Sequence, residues 1–310
     1  MATDTIPDVS LCLIVRNEAA LLPRFIDSVR GAWDEFIAVD TGSTDDTVRL
    51  LENAGAHVIH QAWADDFALA RNTGLQAAHG RWVLILDADE FPEPAFAGEM
   101  RRLLARPDFG AATIHRFDQQ KNGIVRHSHP IRLFANDPDI RYRCRIHEDA
   151  RDGIDAWLAR HARGYFALDT PVQHVGYALE RYDARDKATR DARILALAIA
   201  DDAADLYSRY KLLELYRFTG QTTAAQALAR ETLGPLDACH AIAPAMSPAI
   251  WSTWCARPSA EKMPPARSPS WRATGPWPST PPTSIWPSAC AMNNSAPWSL
   301  RFTRLPACSN

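Results

Sequence analysis

Four apolar runs of strand length, separated by stretches with helical spacing, fill the first 87 residues, and this alternation restricts the chain to an α/β layer built on a parallel sheet. Val9-Ser-Leu-Cys-Leu-Ile-Val15 reads as a strand covered on both faces. Leu21, Leu22, Phe25, Ile26 and Val29 then recur at helical spacing up to Gly31, where a helix should stop. Glu35-Phe-Ile-Ala-Val-Asp40 is a second buried strand, ending on a carboxylate. After a Thr-Gly-Ser turn, Ser43 or Thr44 is placed to cap the next helix, with Asp45 and Asp46 favoured in its first turn by the helix dipole. That helix ends at Gly55, and His57-Val-Ile-His60 gives a third strand. A helix over Phe67–Ala78 stops before Gly80, and Arg81-Trp-Val-Leu-Ile-Leu-Asp87 is the strongest strand signal in the chain. In doubly wound sheets ligands bind beyond the carboxyl ends of the strands, so Asp40 and Asp87 should converge on one edge.

Beyond Phe91 the pattern is mixed, with short strands expected at Ala111–Phe117, Ile131–Phe134 and Val172–Val175. From Leu179 to Leu233 it turns helical, and two helices joined at Thr219-Gly220 resemble one tetratricopeptide repeat, a unit that is under-buried alone. After His240 the polypeptide changes character. Acidic residues vanish except for Glu261, and Trp251, Trp254, Trp271, Trp277, Trp286 and Trp298 crowd among prolines and serines. Such a bias is what GC-rich coding DNA yields when misread, so this tail is expected to be an out-of-frame translation, with a naturally disordered tail as the competing reading. The expected organisation is residues 1–178 as the catalytic layer, 179–236 as a helical segment and 237–310 as the tail.

Met1–His240 carries 28 Lys and Arg against 36 Asp and Glu, a net charge of −8, and an acidic body without a basic face argues against nucleic acid as a partner. The six cysteines show no C-x-x-C spacing, which fits a reduced, cytoplasmic protein. No leader pattern and no apolar run of about 18–20 residues is seen, so the expectation is a soluble chain that touches the inner membrane surface only peripherally.

Ile14-Val-Arg-Asn-Glu18, Val39-Asp-Thr-Gly-Ser-Thr-Asp45, Ala70-Arg-Asn-Thr-Gly74 and Leu86-Asp-Ala-Asp-Glu90 occur in the order seen in family 2 glycosyltransferases, which the chain resembles from about Val9 to Leu233. The later Ile146-His-Glu148 and His174-Val-Gly-Tyr177 look like a bacterial branch that carries tetratricopeptide-like helices after the catalytic domain. The resemblance implies a GT-A fold, a nucleotide diphosphate sugar donor, UDP foremost, and inversion at the anomeric centre. It implies that Asp40 bonds a uracil-like base, with Ile14 and Arg16 completing the base pocket and Arg71 near the base or diphosphate. It also implies Glu148 as the catalytic base, with His147 its nearest rival and Asp149 a weaker one.

The residue types agree with those roles. There is no G-x-G and no G-x-x-x-x-G-K-[ST], so neither glycine-rich phosphate loop is present. Asp87 and Asp89 at a strand end offer the alternative, two hard carboxylates able to hold Mg2+ or Mn2+ against a diphosphate. His174 is a candidate third ligand, or a satisfied structural histidine. Asp40 alone reads equally as a loop carboxylate, the Asp87–Asp89 pair as a solvated turn, and His147 and Glu148 as a tie between loop and sheet. Glu90 is a supporting or an exposed carboxylate. Lys187 and Arg190 share a helix face that is solvated or clamps the diphosphate. His127 and His129 suggest metal without an evident third ligand. The acceptor, a cell-envelope glycan or a protein side chain, is not legible. The alternative from another class is a helical-repeat scaffold with a non-catalytic GT-A domain.

Overall fold

The computed structural model describes residues 8–119, 124–175 and 184–233. Its first part is the expected alternation: β1 (Val9–Val15), α1 (Leu22–Ser28), β2 (Glu35–Asp40), α2 (Thr47–Asn53), β3 (His57–His60), α3 (Phe67–Ala77) and β4 (Trp82–Ile85). Helices α1 and α2 stop before Gly31 and Gly55, whose φ values of 77° and 85° reverse the chain where a side chain would be strained. Helix α2 departs from expectation at its start. Asp46 is its N-cap residue, neither Ser43 nor Thr44, and Asp45 accepts the Thr47 N–H at 3.0 Å. Helix α3 is capped by the Asp66 carboxylate, which accepts from the Leu69 N–H at 2.8 Å.

The chain continues through β5 (Glu90–Pro92), α4 (Phe96–Leu104), β6 (Phe109–Gln119), β7 (Val125–Ser128), β8 (Ile131–Ala135), α5 (Arg151–His161) and β9 (Gly164–His174). Among the described residues nine strands join one sheet, in the order β3-β2-β1-β4-β8-β6-β9-β5, with β7 on β6. Strands β1 to β4 pair in parallel, whereas β8 enters antiparallel to both β4 and β6. Long β6 pairs in parallel with β9, which carries β5 antiparallel on its far side. Fully buried Phe25, Phe36, Phe96, Phe109 and Phe134 fill the main core, each contributing roughly 1.5–3 kcal/mol of transfer free energy.

Three helices follow: α6 (Ala184–Asp201), α7 (Leu206–Phe218) and α8 (Thr222–Leu233). Helices α7 and α8 meet at Gly220, φ 74°, as predicted. Helices α6, α7 and α8 together form a second core from Ile194, Leu195, Leu212, Leu213, Ala225 and Leu228. Among the described residues no helix is long and apolar enough to cross a membrane. The expected tail, and Gly176 and Tyr177 of the last motif, lie outside the described residues.

Candidate functional site

Because β1 lies between β2 and β4, the ends of the two outer strands bring Asp40 and Asp87 to the same carboxyl edge. Asp87 is gripped from two sides. Arg71, from α3, donates through Nη2 to its Oδ1 at 2.8 Å, and Arg132, from β8, donates through Nη2 to its Oδ2 at 2.8 Å. Arg132 also donates to Glu90 Oε1 at 2.7 Å, which Arg116 Nη1 of β6 reaches at 3.1 Å. Glu90 Oε2 accepts the Asp87 N–H at 3.0 Å, so the Asp-Ala-Asp-Glu turn closes on itself.

The same alternation of charge runs outward at both ends. Arg71 Nε donates to Glu148 Oε1 at 3.2 Å. Arg116 Nε lies 3.0 Å from Asp118 Oδ1, which is 2.6 Å from His174 Nδ1, and His174 Nε2 lies 3.2 Å from Asp89 Oδ2. Glu148, Arg71, Asp87, Arg132, Glu90, Arg116, Asp118, His174 and Asp89 therefore form one chain in which every negative group meets a positive one. Glu90 is 0% exposed and Arg71 is 7% exposed, so these are desolvated charges whose pairing is obligatory.

Burial opposes the charge of Asp87, but Arg71 and Arg132 outweigh it and hold the carboxyl well below the usual range. Burial likewise disfavours an imidazolium at His174, yet its bonds to Asp118 and Asp89 win and raise it to about 9. His147 moves the other way, lowered by burial and then by Lys211. Burial pushes the Tyr142 hydroxyl, beside Arg71 and Arg132, up to about 12. Among the described residues, the buried Arg71 Nη1 and Arg132 Nε find no hydrogen-bond partner.

Asp40, 3% exposed, accepts from the Ser43 N–H at 3.1 Å and the Gly42 N–H at 3.3 Å, with His60 Nδ1 at 3.5 Å. It organises the turn that follows β2. Asn17, at φ 57°, accepts the Thr44 N–H at 2.7 Å and donates its own N–H to Ser43 at 2.9 Å, lacing that turn to the end of β1. Ile14 is half-buried near that end and Arg16 is exposed just beyond it.

Sequence reasoning missed Arg132, Arg116 and Asp118. A signal existed for Arg132, the lone charge in Ile131-Arg-Leu-Phe134. Glu90 proves to be the most buried carboxylate of the site. Arg190 is not brought to Asp87 or Asp89: it pairs with Asp191 at 2.8 Å and lies 5.4 Å over the Phe67 ring, while Lys187 is exposed on α6. His127 finds a neighbour in His115, Nε2 to Nδ1 at 3.0 Å, and His129 stacks on His115 at 4.8 Å. Strand alternation puts His115 on the opposite face of β6 from Arg116 and Asp118. Among the described residues no group of three or more His, Cys, Asp or Glu is arranged to hold a metal ion.

The glycosyl transferase family 2 model matches residues 10–168, just over half of the chain. A TPR repeat-containing protein of Synechococcus elongatus is 42% identical over 220 residues, 70% of this chain and 54% of the relative. The SPbeta prophage-derived glycosyltransferase SunS of Bacillus subtilis is 22% identical over 193 residues, 61% of this chain and 44% of the relative. The chain thus spans about half the length of these curated relatives. Among solved structures, S. aureus TarS 1-349 in complex with UDP is similar at a TM-score of 0.44 and 15% identity, with 68% of this chain and 72% of that one covered. Glucosyl-3-phosphoglycerate synthase from Mycobacterium tuberculosis, in complex with Mn2+, UDP and glucosyl-3-phosphoglycerate, gives a TM-score of 0.45 and 18% identity over 62% and 78% of the two chains. The matched span runs from the second residue of β1 into β9 and contains Asp40, Arg71, Asp87, Asp89 and Glu148, and on that match the chain belongs to glycosyl transferase family 2.

Proposed function

We propose that the chain is an inverting glycosyltransferase that moves a sugar from a nucleotide diphosphate sugar, UDP-linked, to a hydroxyl of a cell-envelope glycan or protein acceptor at the cytoplasmic side of the inner membrane. The observation that carries this reading is the alternating charge chain at the carboxyl edge of the sheet. Its five carboxylates outnumber its three guanidinium groups and one imidazolium, leaving a net charge of −1 before an anionic donor arrives. A further cation would offset this charge as a diphosphate approaches.

Asp89 is the carboxylate of this charge chain most open to a hard divalent ion. Asp89 has His174 on Oδ2 and a side chain 27% exposed, so it can offer oxygen to Mg2+ or Mn2+. Asp87 and His174 are the neighbouring candidates, although both Asp87 oxygens already accept from guanidinium groups and His174, bonded through both ring nitrogens to Asp118 and Asp89, would have to give up a proton first. When bound, the ion supplies neutralising charge for the leaving diphosphate. Asp40, Ile14 and Arg16 receive the base at the ends of β1 and β2. Arg71, whose Nη1 has no partner among the described residues, presents a permanent cation to the donor.

Glu148 takes the proton of the acceptor hydroxyl as the new glycosidic bond forms and the bond to the diphosphate breaks. Arg71 fixes its Oε1 and leaves Oε2 for the hydroxyl. His147 is the rival base, and burial, then Lys211, shifts its imidazole toward the neutral, proton-accepting form. Glu148→Gln keeps the shape and the hydrogen bond but removes the basicity. UDP affinity is expected to stay near wild type while turnover falls by about 10²–10⁴. A parallel collapse of UDP binding would make Glu148 a donor-positioning group, and undiminished turnover would move the base to His147.

A further inference from the structure

Glu148 sits near one foot of a short loop whose neck is closed by two backbone bonds, Arg143 N–H to Asp149 O at 2.9 Å and Asp149 N–H to Arg143 O at 3.1 Å. The loop backbone is unusual. Cys144 and His147 both adopt left-handed φ values, 69° and 57°, without being glycine, and such residues persist only where surrounding contacts over-determine them.

Those contacts come from the helices. Ile146, 7% exposed, belongs to the second core with Ile194, Leu195, Leu212 and Leu213 and not to the core of the sheet. Arg145 Nε pairs with Asp201, at the end of α6, at 2.6 Å. The His147 ring meets Tyr207 of α7 edge-on at 6.1 Å. The opposite side of the site is tied to the same helices. Trp63 and Phe67 pack on the second core, Arg193 of α6 pairs with Asp65, and the Phe67 N–H donates to Arg145 O at 2.7 Å. Phe67 opens α3, and Arg71 follows it one turn later on the same face.

We propose that helices α6–α8 are a working part of the catalytic centre: they hold the 143–149 loop and the first turn of α3 together, so that Glu148 and Arg71 meet in a fixed geometry. Ile146 and Tyr207 are positioning residues that act through Glu148, and the functional half of this inference rests on Glu148 as the base. Displacing a general base by even about 1 Å costs on the order of 10²-fold in rate, so a loop held only at its neck would be a poor carrier for one.

The test uses the full chain with Tyr207→Ala and Ile146→Ala, and Ile146→Val as the conservative control. Amide exchange in residues 143–149 should accelerate about 10-fold in the two alanine variants while peptides over β1 and β4 keep wild-type protection. Ile146→Val should behave as wild type. With UDP-glucose and UDP-N-acetylglucosamine as probes, kcat should fall about 10-fold to 100-fold at unchanged KM, and Ile146→Ala should add nothing further in a Glu148→Gln background. Unchanged exchange at 143–149 in both alanine variants overturns the proposal, as does an Ile146→Ala effect that persists in full in that background. If Glu148→Gln alone leaves turnover intact, the assignment of the base fails separately, and the exchange data still decide whether the helices hold the loop.

Discussion

Removing the Arg132 guanidinium should be the most damaging single change at the site that leaves the proposed base and metal carboxylates in place. Its Nη2 donates to both Asp87 Oδ2 at 2.8 Å and Glu90 Oε1 at 2.7 Å, and Glu90 has no exposed surface. In Arg132→Met the aliphatic volume is kept, but among the described residues Glu90 retains only Arg116 at 3.1 Å and the Asp87 N–H at 3.0 Å. Breaking a buried pair from one side costs about 3–5 kcal/mol. The surviving bonds to Glu90 place this case at about 3 kcal/mol, which lowers Tm by roughly 6–12 °C in a domain of this size. Equilibrium urea unfolding and thermal scans measure both quantities. Adding Glu90→Gln should return part of the loss, since the stranded charge is then gone. The change also reaches pH dependence. Asp87 is held below its unfolded value, so its contribution is complete above the unfolded carboxylate pKa of about 3.9 and is lost as pH falls through the depressed folded value. Without Arg132 that depression shrinks, and the acid-unfolding midpoint should move to higher pH. A loss under about 1 kcal/mol, with no recovery from Glu90→Gln, would refute the argument that the charge chain is desolvated and obligatory.

Further outcomes follow from the same geometry. A Cβ at Gly80 would lie 2.6 Å from Ser10 Oγ and 2.7 Å from its backbone nitrogen, so Gly80→Ala should destabilise by about 1–3 kcal/mol in urea titration. At Gly74 the nearest atoms are 3.5 and 3.8 Å away, and Gly74→Ala should cost less than about 1 kcal/mol by the same measurement. Arg71→Lys keeps the charge but cannot reach Asp87 and Glu148 together. UDP affinity by calorimetry should change only a few-fold while turnover drops by about 10-fold or more.

Much of this site was legible because its carriers obey local rules. Apolar runs with strand length end on Asp40 and Asp87, and the parallel pairing of β2, β1 and β4 then aligns those ends without further information. What was not legible depends on pairings between distant strands. Arg132 reaches Asp87 only because β8 turns antiparallel beside β4, and Asp118 reaches His174 only through the parallel register of β6 and β9. Glu90 looked neutral between buried and exposed because nothing local announces two arginines arriving from β6 and β8. Helix α4 had a readable signal in Phe96 and Met100, four residues apart and both buried, yet was not predicted. The helices after β9 were predicted, but their hold on Ile146 and Phe67 was not, since a helical pattern says which face is apolar and not what it covers.

On the proposed function, the carboxyl edge of this sheet binds and cleaves a nucleotide diphosphate sugar with the help of Asp89 and a divalent ion. A panel of nucleotide sugars incubated with the full chain and Mn2+ or Mg2+, read by mass spectrometry for release of the nucleotide diphosphate, tests it most directly. Consumption of a UDP-sugar is expected, with its abolition by excess chelator and loss of most turnover in an Asp89→Asn variant that remains folded. Turnover at the wild-type rate in chelator or in Asp89→Asn, or failure to bind or consume any nucleotide sugar, would contradict it.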